Sequence, residues 1–267
     1  MVYKKALLLL CMLAFLVSCG PKKINYGLEQ DEPRIHLQKA ALFLQEQKCQ
    51  EAANEYQFYL AKKKDNPEAY NYLGLAYLCL KNYSSAKTNF EKALTLDSLY
   101  VEVHNNLGIL YLEMNEFDRA EKEFLEYLNH KTANPAAVYY NLATLYFKKG
   151  DYETALFTTK RCVQVQPEAE APRILYATIL EQMGRNDEAI VEYKSMLDGN
   201  PNSQSANFNL GNLLIKYNKA CEAKFHFSRV LEANPTNELG INASEKIKQI
   251  KCSEEFPIRP LPPPTKE

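Results

Sequence analysis

Histidine and cysteine are the residues whose chemistry could define a site, and the chain has four of the first and seven of the second. His36, His104, His130 and His226 lack the spacing of a zinc-binding helix and do not stand beside paired cysteines, so no metal site is predicted. The glycine motifs that hold phosphates or dinucleotides, or that present a nucleophilic serine, are missing from the sequence as well. We therefore expect no enzymatic activity, no cofactor and no small-molecule substrate.

The charge of the chain is nearly balanced, with 32 Lys and Arg against 33 Asp and Glu. Nucleic acids and anionic lipid surfaces are usually contacted by a basic excess on one face, and the sequence has no block of Lys and Arg. Its hydrophobic content of 46% is that of an ordinary globular protein. This composition argues against a nucleic-acid partner.

The N-terminus has the composition of an export signal. Lys4 and Lys5 form a basic start. The apolar run 6–17 that follows is too short to span a bilayer comfortably, but it has the length of a signal-peptide core. We interpret residues 1–18 as a signal peptide.

The signal ends at a cysteine. Leu16-Val17-Ser18-Cys19 resembles the bacterial lipobox, in which a small residue precedes a Cys that is diacylated on sulfur and becomes the new N-terminus. The resemblance implies lipid attachment at Cys19, a lipidated linker over residues 19–32 and a stable anchor of two or three acyl chains. The alternative is an ordinary secretory peptide, or an uncleaved anchor that happens to contain Cys. Because Gly20 follows, similarity to proteobacterial sorting signals implies the periplasmic face of the outer membrane, with the inner membrane and the cell surface as alternatives.

Six alanines recur with one period, separated by 34, 34, 35, 34 and 34 residues. A small residue stands twelve positions before each alanine, and a Tyr or Phe stands four positions after each except where Thr159 occurs. Small residues let two helix axes approach closely, and we expect the bulky residue to fill the space between neighbouring helix pairs. The alanines are Ala52, Ala86, Ala120, Ala155, Ala189 and Ala223.

This periodicity, with turn residues such as Gly150-Asp151 and Asn234-Pro235, resembles the tetratricopeptide repeat. The resemblance implies an all-α, right-handed superhelical solenoid of about six repeats over residues 33–237. Residues 238–252 have the pattern of a C-terminal capping helix, which would cover the last apolar face. Residues 253–267 contain five prolines, and we expect them to form an extended proline-rich tail.

The first helix of each pair should line a concave face of the solenoid. Asn is a poor residue for a helix interior, yet it recurs on this face. Its amide could donate to and accept from the backbone of an extended peptide in the groove. The alternative is that some of these amides cap or bridge neighbouring helices. The candidate partner-binding residues are Asn71, Tyr72, Asn105, Asn106, Tyr140, Asn141, Phe208, Asn209 and Asn212.

The five cysteines after the lipobox could pair in an oxidising compartment, and the repeat geometry narrows the choice. Cys49 is predicted to begin the second helix of the first repeat, and Cys79 to lie near the end of the antiparallel helix that follows. Cys221 and Cys252 repeat this arrangement. We predict disulfides Cys49–Cys79 and Cys221–Cys252, each contributing about 3 kcal/mol, and a free, buried Cys162. The alternative is that all five are reduced packing residues.

The combination of lipobox, short linker and six repeats resembles the type IV pilus assembly lipoproteins called PilF, PilW or Tgl. The resemblance implies a pilotin, which helps a secretin subunit to reach the outer membrane and assemble into its ring. A protein or peptide in the concave groove, with a secretin subunit as the first candidate, is therefore the expected partner. The resemblance is carried by Asn105-Asn106-Leu107-Gly108, by residues 116–120, by the longer turn 130–135 and by Tyr140-Asn141-Leu142-Ala143.

Two other functions stay open on the sequence. A scaffold for peptidoglycan hydrolases would have the same anchor and repeats, and so would a component of the machinery for outer-membrane protein assembly. Pull-down of hydrolases in place of a secretin would identify the first. A neighbouring gene set for barrel assembly would favour the second.

Overall fold

A computed structural model describes residues 32–130 and 135–251. Within these ranges the chain forms thirteen α-helices and no β-strand. The helices divide between two compact units, residues 1–165 and 166–267. The predicted fold class, an all-α solenoid of tetratricopeptide repeats, is confirmed. The predicted signal peptide, the predicted lipid-attachment residue Cys19 and the predicted proline-rich tail lie outside the described residues.

The first unit consists of four helix pairs. Each helix packs against the next one in sequence, and the first helices of successive pairs also contact each other. This double contact is what a stack of repeats requires, because one pair alone cannot bury its apolar face. The helices are α1 (Glu32–Gln45), α2 (Cys49–Lys62), α3 (Pro67–Cys79), α4 (Tyr83–Leu96), α5 (Glu102–Glu113), α6 (Phe117–Asn129), α7 (Ala136–Lys149) and α8 (Tyr152–Val165).

The second unit consists of two further pairs and a single last helix. The last helix, α13, packs against both helices of the pair before it. It begins after Asn237, whose side-chain oxygen accepts a hydrogen bond from the Gly240 N–H at 2.9 Å. It ends three residues before the predicted end of the capping helix, 252. The helices are α9 (Glu170–Gln182), α10 (Asn186–Gly199), α11 (Gln204–Lys216), α12 (Ala220–Ala233) and α13 (Glu238–Gln249).

The turn inside each of the six pairs uses the left-handed backbone region at the same repeat position. The residue that follows donates its N–H to a carbonyl of the first helix, as Lys48 does to Phe43 at 2.8 Å, which is the Schellman arrangement. Glycine adopts this conformation freely and Asn does so more readily than other residues, so Gln47 and Lys81 each cost about 1 kcal/mol. The positions, with φ between 56° and 83°, are Gln47, Lys81, Asn115, Gly150, Gly184 and Asn218.

An aromatic ring fills the gap left by a small residue within each of three pairs. A Cβ added to Gly74 would lie 2.5 Å from Cε1 of Phe90, a side chain with no exposed surface. The ring therefore lies between the two helices of its own pair, whereas the sequence predicted a place between neighbouring pairs. The same contact occurs between Gly108 and Phe124 and between Gly211 and Phe227.

Candidate protein-binding face

The nine predicted partner-binding residues all lie on first helices of pairs. Six of them belong to the first unit and three to the second. They differ in burial, and this difference separates residues that hold the solenoid together from residues that a partner could contact. On α3, α5 and α7 they are Asn71, Tyr72, Asn105, Asn106, Tyr140 and Asn141, and on α11 they are Phe208, Asn209 and Asn212.

Two asparagine pairs bridge successive first helices of the first unit. Asn106 Nδ2 on α5 donates to Asn71 Oδ1 on α3 at 2.8 Å. One repeat further along, Asn141 Nδ2 on α7 donates to Asn105 Oδ1 on α5 at 2.9 Å. Asn71 Nδ2 in turn donates to the Tyr100 hydroxyl at 3.4 Å. We call these side chains the amide ladder.

Burial corrects the expected role of three of these amides. Asn71, Asn106 and Asn141 are only 3%, 6% and 5% exposed, and Tyr140 is 3% exposed. The three amides bond to side chains elsewhere in the first unit, which is the alternative that the sequence left open. A net contribution of about 1 kcal/mol per bond, and a larger cost when a buried partner is lost, makes the ladder part of the fold.

Tyr72 and Asn105 are the half-buried candidates of the first unit. The Tyr72 ring stacks on Tyr56 with centroids 6.0 Å apart. Asn105 accepts from Asn141, while its own Nδ2 has no partner among the described residues. Asn105 therefore holds the ladder with its oxygen and can donate two hydrogen bonds to a molecule on this face.

The candidates of the second unit are all half-buried. The Phe208 ring meets the Phe227 ring edge-on, with centroids 5.6 Å apart, so part of it belongs to the core. Asn209 makes a side-chain hydrogen bond with Tyr193. Phe208, Asn209 and Asn212 stay predicted partner contacts.

Two tyrosines of the first unit, Tyr56 and Tyr100, keep neutral hydroxyl groups. Burial, together with the neighbouring Tyr72 and Glu68, raises the pKa of Tyr56 and of Tyr100 well above the usual range. These hydroxyls therefore stay protonated at any physiological pH. The Tyr100 hydroxyl accepts a hydrogen bond from Asn71, and neither hydroxyl can act as a base.

The cysteines follow the predicted arrangement as far as they are described. The Cys49–Cys79 disulfide is present, with Cα atoms 6.1 Å apart. Cys221 is also disulfide-bonded, whereas its predicted partner Cys252 lies outside the described residues. Cys162 is free and buried, and burial raises the pKa of its thiol to about 12. A thiol that stays protonated at neutral pH is not a nucleophile, so Cys162 is a packing residue.

Polar pairs that were not predicted from the sequence join the two helices in four of the repeats. In each pair the partners are 19 residues apart, a spacing that was visible in the sequence. His104 Nδ1 lies 2.7 Å from Glu123 Oε2, and Arg173 Nε donates to Glu192 Oε1 at 2.7 Å. These pairs fix the helices of one repeat and do not form a site. The other two are His36 with Glu55 and His226 with Asn207.

Residues 32–130 and 135–251 contain neither a cluster of metal-binding side chains nor a membrane-spanning helix. No group of three or more His, Cys, Asp or Glu side chains there could hold a metal ion. No helix in the same ranges combines the length and the apolar character needed to cross a membrane.

Stacked helix pairs, left-handed turns at one repeat position and glycine–phenylalanine contacts define a tetratricopeptide-repeat protein, a class that serves as protein-binding scaffolds. Three family profiles described as tetratricopeptide repeat match residues 67–100, 89–122 and 180–243. A profile described as anaphase-promoting complex, cyclosome, subunit 3 matches residues 113–196.

Known proteins similar to this chain share its repeats. Human tetratricopeptide repeat protein 6 is 24% identical over 200 residues, which are 71% of this chain and 38% of that protein. The chain thus spans little more than a third of the length of this relative. The crystal structure of PilW, a widely conserved type IV pilus biogenesis factor, has a TM-score of 0.66 and 19% identity, covering 81% of this chain and all of PilW. PilF from Pseudomonas aeruginosa has a TM-score of 0.63 and 17% identity, covering 81% of this chain and 98% of PilF. Identities this low show a shared fold.

Proposed function

We propose that this chain is an outer-membrane lipoprotein whose repeats help a type IV pilus secretin to reach the outer membrane and assemble. The observation that carries the proposal is the extent of the likeness to two pilus proteins, PilW and PilF. The repeats of this chain cover 100% and 98% of those chains. The lipobox at Cys19 supplies the anchor, because nothing else in the sequence resembles a membrane attachment.

The half-buried residues Tyr72 and Asn105, on first helices of the first unit, form the proposed contact face for the secretin subunit. Asn105 offers two N–H donors at Nδ2, and Tyr72 offers an aromatic ring that is already held by stacking on Tyr56. The amide ladder fixes the neighbouring helices, so these groups need little ordering when a partner binds. An extended backbone, which presents carbonyl acceptors along its length, fits such a row of donors.

The test is the assembly state of the secretin in cells that lack this protein. Secretin multimers that resist dissociation can be separated from monomers by gel electrophoresis and detected by immunoblot. We expect multimers to disappear from the outer membrane without the protein and to return with the unsubstituted chain. A Cys19→Ala variant should be released into the soluble periplasmic fraction and fail to restore them, because the anchor is lost.

Unchanged secretin multimers in cells without the protein would contradict the proposal. Recovery of peptidoglycan hydrolases with the purified chain, in place of the secretin, would instead favour the hydrolase scaffold. A soluble Cys19→Ala variant that restores assembly would separate the two parts of the proposal, since the repeats would then act without the anchor.

A further inference from the structure

Tyr56 is a buried tyrosine whose hydroxyl has no hydrogen-bond partner within residues 32–130 and 135–251. It is 1% exposed, but its oxygen reaches the surface, because every fully buried side-chain N or O atom in these ranges has a partner. Phenylalanine occupies the same repeat position in three other pairs, so packing alone does not require the hydroxyl. The equivalent Tyr193 differs, since its hydroxyl donates to Glu181 Oε1 at 2.9 Å. The Tyr56 hydroxyl is thus available to a ligand.

The groups around this hydroxyl are aromatic or acidic. The Tyr72 ring lies nearly parallel to the Tyr56 ring, with centroids 6.0 Å apart. Burial raises the pKa of Tyr56, and Tyr72 and Glu68 add to this rise, so both lie close to the hydroxyl. Burial also raises the pKa of Tyr100, with Glu68 and Glu102 adding to it. We call Tyr56, Tyr72, Tyr100, Glu68 and Glu102 the aromatic–acidic cluster.

The cluster carries negative charge that the described part of the chain does not neutralise. Glu68 and Glu102 are exposed, and neither forms a salt bridge with a described residue. Both stand in the first turn of their helices, α3 and α5, where a carboxylate also interacts favourably with the helix dipole. Elsewhere in the unit, Asp118 and Glu121 share the ammonium group of Lys149. A cationic group from outside the chain would neutralise the cluster in the same way.

We propose that the aromatic–acidic cluster binds a Lys or Arg side chain of a protein partner. The N–H groups of the cation donate to the Tyr56 oxygen and the Glu68 carboxylate, and its charge lies against the Tyr72 ring. The Tyr100 hydroxyl already accepts from Asn71 Nδ2 at 3.4 Å, so the amide ladder fixes one wall of the site. Acceptors and aromatic rings held in place by the fold need little ordering when the cation binds.

The position of the cluster favours a side chain of a protein over a free amine. Tyr72 belongs to the proposed contact face, and Glu102 lies three positions before Asn105 on α5, on the same side of that helix. A peptide whose carbonyls accept from Asn105 Nδ2 can therefore place a basic side chain at the cluster. The secretin subunit as the source of this side chain rests on the proposed function, whereas the chemistry of the cluster is independent of it.

Peptide titrations of the purified full chain test the cluster. The probe is acetyl-Gly-Gly-Lys-Gly-Gly-amide, in which the lysine carries the only charge, and the comparison peptide has Gln in its place. NMR signals of isotope-labelled tyrosine rings report binding and give the Kd. We expect the lysine peptide to shift the signals of Tyr72 and Tyr100, and the glutamine peptide to leave them unchanged.

Tyr56→Phe removes the hydroxyl and keeps the ring. We expect this variant to raise the Kd of the lysine peptide about tenfold, because a hydrogen bond to a charged group is lost. Its free energy of unfolding in urea should not fall, because no described residue bonds to the hydroxyl. Tyr193→Phe is the matched control: it should lower the free energy of unfolding, because the bond to Glu181 is lost, and leave the Kd unchanged. Glu68→Gln should raise the Kd about threefold.

Equal Kd values of the lysine peptide for the unsubstituted chain and the Tyr56→Phe variant would overturn the proposal, and so would equal binding of the lysine and glutamine peptides. A loss of stability in Tyr56→Phe as large as that in Tyr193→Phe would assign the hydroxyl to the fold and overturn it too. Tighter binding of n-butylamine than of the lysine peptide would assign the cluster to a free amine, again overturning it. Lysine-peptide binding that depends on Tyr56, in a chain that does not bind the secretin subunit, would support the cluster and contradict the proposed function.

Discussion

The disulfide between Cys49 and Cys79 should hold the first repeat against the rest of its unit. It joins the first residue of α2 to the last residue of α3, with a sequence separation of 30. Replacing both residues by Ala removes this cross-link from the unfolded chain. A cross-link that closes a loop of about 30 residues reduces the conformational entropy of the unfolded chain by about 12 cal/mol/K. Removing it should therefore lower the free energy of unfolding by about 3.6 kcal/mol at 25 °C.

The loss should appear first in α1 and α2. No repeat precedes them in the described residues, and the stability of a solenoid is set by contacts between neighbouring repeats. Hydrogen exchange followed by mass spectrometry should therefore show faster amide exchange in α1 and α2 of the double variant. Amides of α9 to α13, which belong to the other unit, should exchange at unchanged rates. Urea unfolding of the same samples measures the loss of unfolding free energy in the double variant.

A Cys162→Ala variant is the control for the loss of a buried sulfur. In the unsubstituted chain the Cys162 thiol donates to the Ala136 carbonyl at 3.2 Å and forms no cross-link. The expected loss of unfolding free energy is therefore about 1 kcal/mol, and it should be confined to α7 and α8. A double variant whose free energy of unfolding is within about 1 kcal/mol of the unsubstituted chain, with unchanged exchange in α1 and α2, would contradict the predicted role of the disulfide.

Three further substitutions test the turns, the packing and one titration. Lys81→Gly should raise the unfolding free energy in urea by about 1 kcal/mol, because glycine adopts the left-handed turn freely; a decrease would contradict this account. Gly74→Ala should lower the unfolding free energy by about 2 kcal/mol, because the new Cβ would lie 2.5 Å from Phe90. Gly199→Ala is the control and should not lower it, because a Cβ at Gly199 would meet open space. Burial lowers the pKa of His226 from 6.5 to about 4. The neutral imidazole therefore stabilises the fold fully above pH 6.5, and this stabilisation is lost as the pH falls towards 4. His226→Gln should remove up to about 3 kcal/mol of that pH dependence, and an equal slope in both chains would contradict the assignment.

The period of 34 residues was enough to predict the helix pairs. It depends on residues that act locally: alanines and glycines that permit close approach, and turn residues that end helices. The Cys49–Cys79 disulfide could be placed for the same reason, since its partners occupy fixed repeat positions. Residues that recur at fixed repeat positions and act locally therefore made the fold predictable.

The division of the asparagines into structural and exposed ones could not be predicted in the same way. Asn105 and Asn106 are neighbours on α5, yet one bonds forward to α7 and the other back to α3. That outcome depends on the stagger between successive first helices, which a repeat period does not contain. The position of the Phe90 ring could not be predicted either, because the spacing of residues in the sequence does not show which of two adjacent gaps a side chain fills.

In the function that we propose, the half-buried Tyr72 and Asn105 of the first unit bind the secretin subunit, while the amide ladder holds the fold. The most direct test of this claim is the Kd of the purified secretin subunit for an Asn105→Asp variant. A carboxylate keeps the acceptor that Asn141 needs and removes the two donors offered to the partner. Asn54→Asp, on the exposed side of α2, makes the same charge change and is the control.

We expect Asn105→Asp to raise the Kd about tenfold, which corresponds to about 1.4 kcal/mol, with little change in the thermal midpoint. Asn54→Asp should bind as the unsubstituted chain does. Equal affinities for both variants, or no secretin binding by the unsubstituted chain, would contradict the account.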